Sequence, residues 1–279
     1  MTGLPSADLR ARLQFATRIA QAVGQRLSRL RASGRWSDPS MLGDVGDQAA
    51  DGFLQGALRA GWPDDGVLSE ETDDDAERRT RRCTWIVDPL DGTKEYGAGR
   101  EDWAVHVGLA VAGAPVLGVV ALPAIDRTFA ATLDGDGALP VVLGTAGGWP
   151  RHCTAATAES GAAGATRLRL VVSRSHPPDW ATHLADDLDA ELLPCGSVGF
   201  KVAQLLFGRA DAYVHEGGLK EWDTCAPEVV ARAAGWSVVR LDGALHRYNR
   251  ADPRNDTLLV SRPEVLPALL AATARARGR

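Results

Sequence analysis

Cysteine is scarce in this 279-residue chain: Cys83, Cys153, Cys195 and Cys225 lie far apart, with no CxxC pair and no Cys/His ligand spacing among them. That argues against a disulfide framework or a structural zinc site, and the four read as reduced thiols. No run of ~18 apolar residues occurs, so no transmembrane helix is expected. The opening MTGLPSADLR lacks the basic-then-apolar order of a secretory leader. A cytoplasmic protein with no membrane partner is the expectation. An excess of positive charge is missing as well. The net charge of −5 argues against a broad phosphate-neutralising surface, so no nucleic-acid polymer is expected as a partner. Arg78, Arg79, Arg81 and Arg82, and then Arg275, Arg277 and Arg279, form short clusters that read as solvated surface. There is no Walker or dinucleotide-binding glycine pattern and no internal repeat.

What is present suits a globular protein: 45% hydrophobic residues, 24% charged residues and 30 glycines. The length exceeds the usual size of one compact core, which predicts two abutting subdomains. Apolar residues from Leu9 to Leu30 recur at three- or four-residue intervals, a helix over 8–31 capped by Ser6 or Asp8. A second helix is expected over about 44–60, stopped by Gly61 and Pro63, with Asp44, Asp47 and Asp51 along it. Short β runs follow at 66–69, 84–87, 103–111, 116–122 and 127–132, so the first half reads as α+β. Strand and helix then alternate to about residue 241, so the second half reads as α/β. The stretch 134–166 is rich in Gly, Ala and Thr; the boundary is placed near residue 145, giving subdomains 1–145 and 146–279.

Three acidic segments carry the chemistry: LSEET at 68–72, WIVDPLDGTKE at 85–95 and KEWDTCAPE at 220–228. In the middle one, Asp88 and Asp91 flank a proline-stiffened turn and can converge on one hard cation. Magnesium prefers oxygen ligands and takes few carboxylates, so Asp, Glu and a backbone carbonyl suit it. If Gly92 and Thr93 open a helix, their N–H groups face a phosphate oxygen. The same letters also describe an ordinary turn, since Asp, Pro and Gly are turn formers. Asp223 reads equally as an N-cap, and Glu70 and Glu71 as part of a solvated acidic loop.

In order and spacing, SEET, DPLDGT and WDTCAP resemble the signature segments of the inositol monophosphatase superfamily of Mg²⁺-dependent, Li⁺-sensitive phosphatases. The likeness runs from GDVGDQAAD at 43–51 to LDGALHRYN at 241–249. It implies a layered αβαβα sandwich of the two subdomains. It also implies two or three Mg²⁺ ions held by Glu70, Asp88, the Leu90 carbonyl, Asp91 and Asp223, with Asp47 serving a third metal position. Thr93 and Glu70 would orient the attacking water. GDVGDQAAD departs from the threonine-containing segment commoner among relatives.

SRSH at 173–176, GSVGFK at 196–201 and KEWDTCAPEVV at 220–230 look most like the 3′(2′),5′-bisphosphate nucleotidase branch. By that resemblance Ser173, His176, Gly196, Ser197, Lys201, Lys220 and Glu221 surround a nucleotide. The substrate would be 3′-phosphoadenosine 5′-phosphate, a by-product of sulfate assimilation. Lys220, beside Asp223, is placed to pair with a second phosphate. An inositol or sugar phosphate phosphatase with the same metals is the nearest alternative, and a non-catalytic ligand sensor the next. Relatives are monomers or homodimers. His106, inside the apolar run WAVHVGLAV, reads as a strand histidine and not a catalyst.

Overall fold

The computed structural model describes residues 3–133, 141–143 and 167–279. The expected boundary at 145 and Cys153 lie outside these residues. Helix α1 (Ser6–Ala32) begins after Pro5 with no side-chain cap, so neither Ser6 nor Asp8 caps it; Asp8 instead pairs with Arg12 one turn on. Helix α2 (Pro39–Gly61) starts five residues before the expected position. Its start is set by Asp38, which accepts from the N–H groups of Ser40 and Met41, and by Pro39 in the first turn.

The first sheet contains β1 (Gly66–Ser69), β2 (Cys83–Asp91), β3 (Ala104–Val111), β4 (Ala114–Leu122), β5 (Arg127–Thr132) and β6 (Val141–Leu143), in that spatial order. Only the β1–β2 pair is parallel. The second sheet has the order β10 (Ser237–Val239), β11 (Thr257–Ser261), β9 (Ala212–Glu216), β7 (Leu168–Ser173), β8 (Ala190–Cys195). Its β7 pairs parallel with both β8 and β9, and β11 is antiparallel to its neighbours.

Among the described residues the remaining helices are α3 (Thr93–Gly97), α4 (Ala181–Leu188), α5 (Val198–Leu206), α6 (Glu221–Ala233) and α7 (Leu266–Arg277). Four apolar clusters define five layers. Leu9, Val23, Leu54 and Leu58 of α1 and α2 cover the outer face of the first sheet at Trp85, Val107 and Val119. Its inner face, at Ala104, Val120 and Phe129, meets Ala203 of α5 and Ala226, Val229 and Val230 of α6. The opposite sides of α5 and α6, with Val202, Leu205 and Ala231, pack on Val171, Tyr213 and Val260 of the second sheet. Leu184 of α4 and Leu269 and Ala272 of α7 close the far side on Leu170, Val214 and Leu259. The result is an αβαβα sandwich, with α5 and α6 forming the middle layer. Strands buried on both faces explain the near-continuous apolar runs in β3 and β4.

Helix α6 begins at Glu221 and runs through Pro227. Asp223 is thus not a cap residue ahead of the helix but sits inside its first turn. There its carboxylate accepts the Lys220 N–H at 2.6 Å. Proline supplies no N–H, so the Asp223 carbonyl loses the donor four residues on.

Candidate active site

Five acidic side chains from four elements converge where β1 and β2 end and α6 begins. Glu70 follows β1, Asp88 and Asp91 lie at the end of β2, Asp47 is on α2 and Asp223 opens α6. Asp47, Asp88 and Asp91 are buried, Asp223 is half-buried, and Glu70 stands at the rim. A β-irregularity between Asp88 and Asp91 breaks the ladder with β3. The turn it makes is fixed by the Leu90 N–H, which Asp88 Oδ1 accepts at 3.0 Å. Gly92, at φ +92°, then reverses the chain into α3.

These carboxylates disfavour one another's charge. Burial, then the charges of Glu71, Asp51 and Asp44, push Asp47 up to about 7 despite its bond to Thr93. Glu70 opens to solvent on one side, yet enclosure of its carboxylate and the charges of Asp47, Asp91 and Glu71 push it up to about 7. Asp88 is raised by burial, then by Glu70, Asp91, Asp223 and Asp47. Asp223 is raised by burial and by Asp91. Asp47 Oδ1 and Asp88 Oδ2 are buried with no hydrogen-bond partner among the described residues. Buried acceptors without donors, in a site of mutually repelling carboxylates, fit a hard divalent cation. Asp88, Asp91 and His106 also offer ligand atoms within 4.8 Å of one another.

Thr93 Oγ1 lies 2.9 Å from Asp47 Oδ2 and 3.0 Å from the Leu90 carbonyl oxygen. Asp51, one turn beyond Asp47, accepts from Ser69 Oγ and Thr72 Oγ1 at 2.6 Å each, pinning the segment that carries Glu70 to α2. Sequence reasoning noted Asp51 only as part of an acidic recurrence. Asp102, not singled out before, accepts the Gly196 N–H at 2.8 Å and pairs with Arg174 at 2.6 Å. It thereby ties the loop before β3 to the turn that starts α5.

The residues assigned to the nucleotide divide into two groups. Gly196, Ser197 and Lys201 lie on one turn of chain: Ser197 caps α5 by accepting the Phe200 N–H at 2.8 Å, and the buried Lys201 Nζ donates to the Gly196 carbonyl. Burial lowers Lys201, against the opposing charges of Asp91 and Asp223, which places its ammonium beside the carboxylates. Ser173 Oγ accepts the N–H of the exposed His176 at 3.2 Å. Lys220 is half-buried beside Asp223. Glu221 faces the other way. It is fully buried, and its two oxygens accept the N–H groups of Asn249 and Arg250 at 2.6 and 3.0 Å.

A model described as the inositol monophosphatase family matches residues 8–279. The 3′-phosphoadenosine 5′-phosphate phosphatase of Mycobacterium leprae (strain TN) is 37% identical over 261 residues, covering 92% of this chain and 91% of the relative. The protein of the same name from Mycobacterium tuberculosis (strain CDC 1551 / Oshkosh) is 39% identical over 260 residues, 91% of this chain and 90% of the relative. Among solved structures, CysQ from Bacteroides thetaiotaomicron is similar with a TM-score of 0.73 at 28% identity, over 90% of this chain and 97% of that one. With the match extending over nearly the whole chain and its acidic segments gathered in one cluster, the chain belongs to the inositol monophosphatase family.

Proposed function

We propose that this phosphatase hydrolyses 3′-phosphoadenosine 5′-phosphate to adenosine 5′-phosphate and phosphate, using Mg²⁺ held by Glu70, Asp88, the Leu90 carbonyl, Asp91 and Asp223. The observation that carries it is the crowding of those carboxylates around the unpartnered oxygens of Asp47 and Asp88. The names borne by relatives at 37–39% identity support the nucleotide. No helix among the described residues is long and apolar enough to cross a membrane, in keeping with a cytoplasmic enzyme acting on a small solute.

Magnesium, when bound, supplies Lewis-acid chemistry: it lowers the pKa of water and offsets charge on the phosphoryl oxygens. The chain's own part begins at Thr93. Its hydroxyl proton is committed to Asp47 or to the Leu90 carbonyl, so Oγ1 is left to accept a hydrogen bond from the attacking water and orient it. Glu70, at the rim, takes the water's proton on its carboxylate. Two or three ions are in keeping with the number of carboxylates, with Asp47 serving the third.

On the substrate side, Ser197 and Ser173 already accept backbone N–H groups, which leaves each hydroxyl proton free to donate to a phosphate oxygen. Lys201, buried and bonded to the Gly196 carbonyl, would add a donor on the same side. Lys220 and His176 stand at the opening to receive the second phosphate and the nucleoside.

The test is phosphate release by the purified protein with Mg²⁺, comparing 3′-phosphoadenosine 5′-phosphate, inositol 1-phosphate and fructose 1,6-bisphosphate at equal low concentrations. Preference for the nucleotide is expected. Preference for the inositol or sugar ester would move the substrate and keep the metal chemistry; no release from any of them would overturn both.

A further inference from the structure

We propose that His106 is a positioning residue that holds Asp91 in the orientation a cation requires and ties that ligand to the substrate-side helix α5. The inference rests on the reading of Asp91 as a metal ligand. His106 lies on β3 opposite Asp88 and has no accessible surface. Its ring lies against β2, α5 and α6. Nε2 is 3.2 Å from Asp91 Oδ2, at the end of β2. Nδ1 is 3.3 Å from the carbonyl oxygen of Trp222, in the first turn of α6. Gly199, in the first turn of α5, passes so close that a Cβ there would fall inside van der Waals contact of Nε2. The absence of a side chain at Gly199 is what lets α5 close on the ring.

The two contacts of Asp91 Oδ2 explain why this matters. That oxygen accepts the Gly199 N–H at 3.0 Å, and Nε2 approaches the same oxygen. Nε2 is off the line of a formed hydrogen bond and has no other partner. Both ring nitrogens face acceptors; we place the ring's proton on Nε2, toward the carboxylate as the stronger of the two, at the expense of the Nδ1 contact with the Trp222 carbonyl. With Oδ2 bonded to the Gly199 N–H and faced by Nε2 at 3.2 Å, Oδ1 is the oxygen left to face a cation. Outer partners of this kind fix the direction of a ligating carboxylate, and their loss commonly weakens metal binding about 10–100-fold. Because one of the two contacts is the backbone of α5, the cation-facing geometry of Asp91 and the position of Ser197 and Lys201 are set together.

The test is the dissociation constant of Mn²⁺ for the metal-free protein, read by electron paramagnetic resonance, with thermal unfolding of each variant alongside. His106→Gln places an amide N–H near the position of Nε2, His106→Asn only near that of Nδ1, and His106→Leu neither. The expected result is near-native Mn²⁺ affinity for His106→Gln and affinity weakened by about 10–100-fold for His106→Asn and His106→Leu. A histidine needed only for packing would lower the unfolding temperature of the variants without separating Gln from Asn in affinity, and that result would overturn the proposal. Should His106→Leu not fold, the contrast between Gln and Asn decides. Asp91→Asn is measured in parallel: if it binds Mn²⁺ as the native protein does, the metal role of Asp91 fails and the positioning role with it. If Asp91→Asn loses binding while the Asn and Leu variants at 106 keep it, the positioning role alone is overturned.

Discussion

Thr93 Oγ1 donates to Asp47 Oδ2 at 2.9 Å, joining the start of α3 to α2. A hydroxyl has one proton, so this bond, or the alternative one to the Leu90 carbonyl at 3.0 Å, leaves the oxygen's lone pairs to accept from another donor. Thr93→Val keeps the volume and removes the hydroxyl. It should lower kcat by about 10²-fold or more, while Mn²⁺ affinity changes little and Thr93→Ser restores most of the rate. Steady-state kinetics on the preferred phosphate ester check this, and an unchanged kcat in Thr93→Val would remove Thr93 from the water-orienting role.

Asp51 makes a different kind of contribution, because both of its oxygens accept side-chain hydroxyls. Its two short bonds to Ser69 and Thr72 fix the segment on which Glu70 is carried. Asp51→Ala leaves both hydroxyls without their acceptor, at a cost of about 2–4 kcal/mol in unfolding free energy. The Mg²⁺ concentration for half-maximal activity should rise as Glu70 loses its anchor. Urea unfolding with a parallel Mg²⁺ titration measures both. Loss of stability with an unaltered metal requirement would mean that Glu70 is held by other contacts.

Removing the metal should abolish phosphate release, and returning Mg²⁺ should restore it. Binding to the native state alone stabilises by about 2.7 kcal/mol when the free cation is at 100 times its dissociation constant. The unfolding temperature should therefore rise with Mg²⁺ in the native protein and not in Asp91→Asn. Activity that survives exhaustive chelation would contradict the role assigned to the carboxylates.

His215 gives a pH dependence whose sign follows from its surroundings. Burial holds this imidazole down at about 4, although its Nε2 faces the Gly217 carbonyl oxygen at 2.8 Å. In the unfolded chain it titrates near the ordinary value of about 6.5. The folded pKa is the lower one, so the unfolded state binds the extra proton first. The contribution to stability is complete above pH ~6.5 and is lost as pH falls toward 4, with a slope of up to about 1.4 kcal/mol per pH unit. His215→Gln keeps a donor for the Gly217 carbonyl and cannot titrate, so its stability should fall less steeply between pH 6.5 and 4.5. Equal slopes in urea unfolding series of the two proteins would mean that His215 is protonated in the fold.

Legibility in the sequence followed how local each feature is. A hard cation needs several oxygen ligands, and this chain supplies them in three contiguous segments, so the acidic cluster could be read without knowing the fold. The αβαβα layering was likewise implied by the resemblance to the inositol monophosphatase superfamily. The early start of α2 was also written locally, in Asp38 and Pro39, and the 8–31 and 44–60 readings overlooked it. Helix α7 escaped because Ala-rich 266–277 has a weak apolar face, although Leu269, Ala272 and Ala276 are buried. The path of α6 through Pro227 went against a sound rule; packing of Ala226, Val229 and Val230 between the sheets overrides it. Asp51, Asp102 and His106 were out of reach for another reason. Asp51 is 18 residues from Ser69, Asp102 is 72 from Arg174, and His106 is 15 from Asp91 and 93 from Gly199, and only the folded chain brings them together.

Lys220 and Glu221 are neighbours in sequence, and both were read as substrate contacts, yet the fold turns them apart. Lys220 is half-buried at the start of α6, its backbone N–H bonded to Asp223, and its ammonium is the group proposed for the second phosphate. Glu221 is spent on the 249–250 loop, with Arg250 Nε 3.5 Å from its carboxylate. Lys220→Ala should therefore raise KM for a bisphosphorylated nucleotide more than for a simple monophosphate, with little change in stability. Glu221→Gln should do the reverse: it weakens charge-assisted bonds in a buried position and costs about 2–3 kcal/mol of stability, while the ratio of kcat/KM for the two substrates stays the same. Measuring that ratio and the urea midpoint for both variants separates the roles. A shifted ratio in Glu221→Gln would show that the 249–250 loop itself reaches the substrate, whereas an unshifted ratio in Lys220→Ala would remove that side chain from the recognition of the second phosphate.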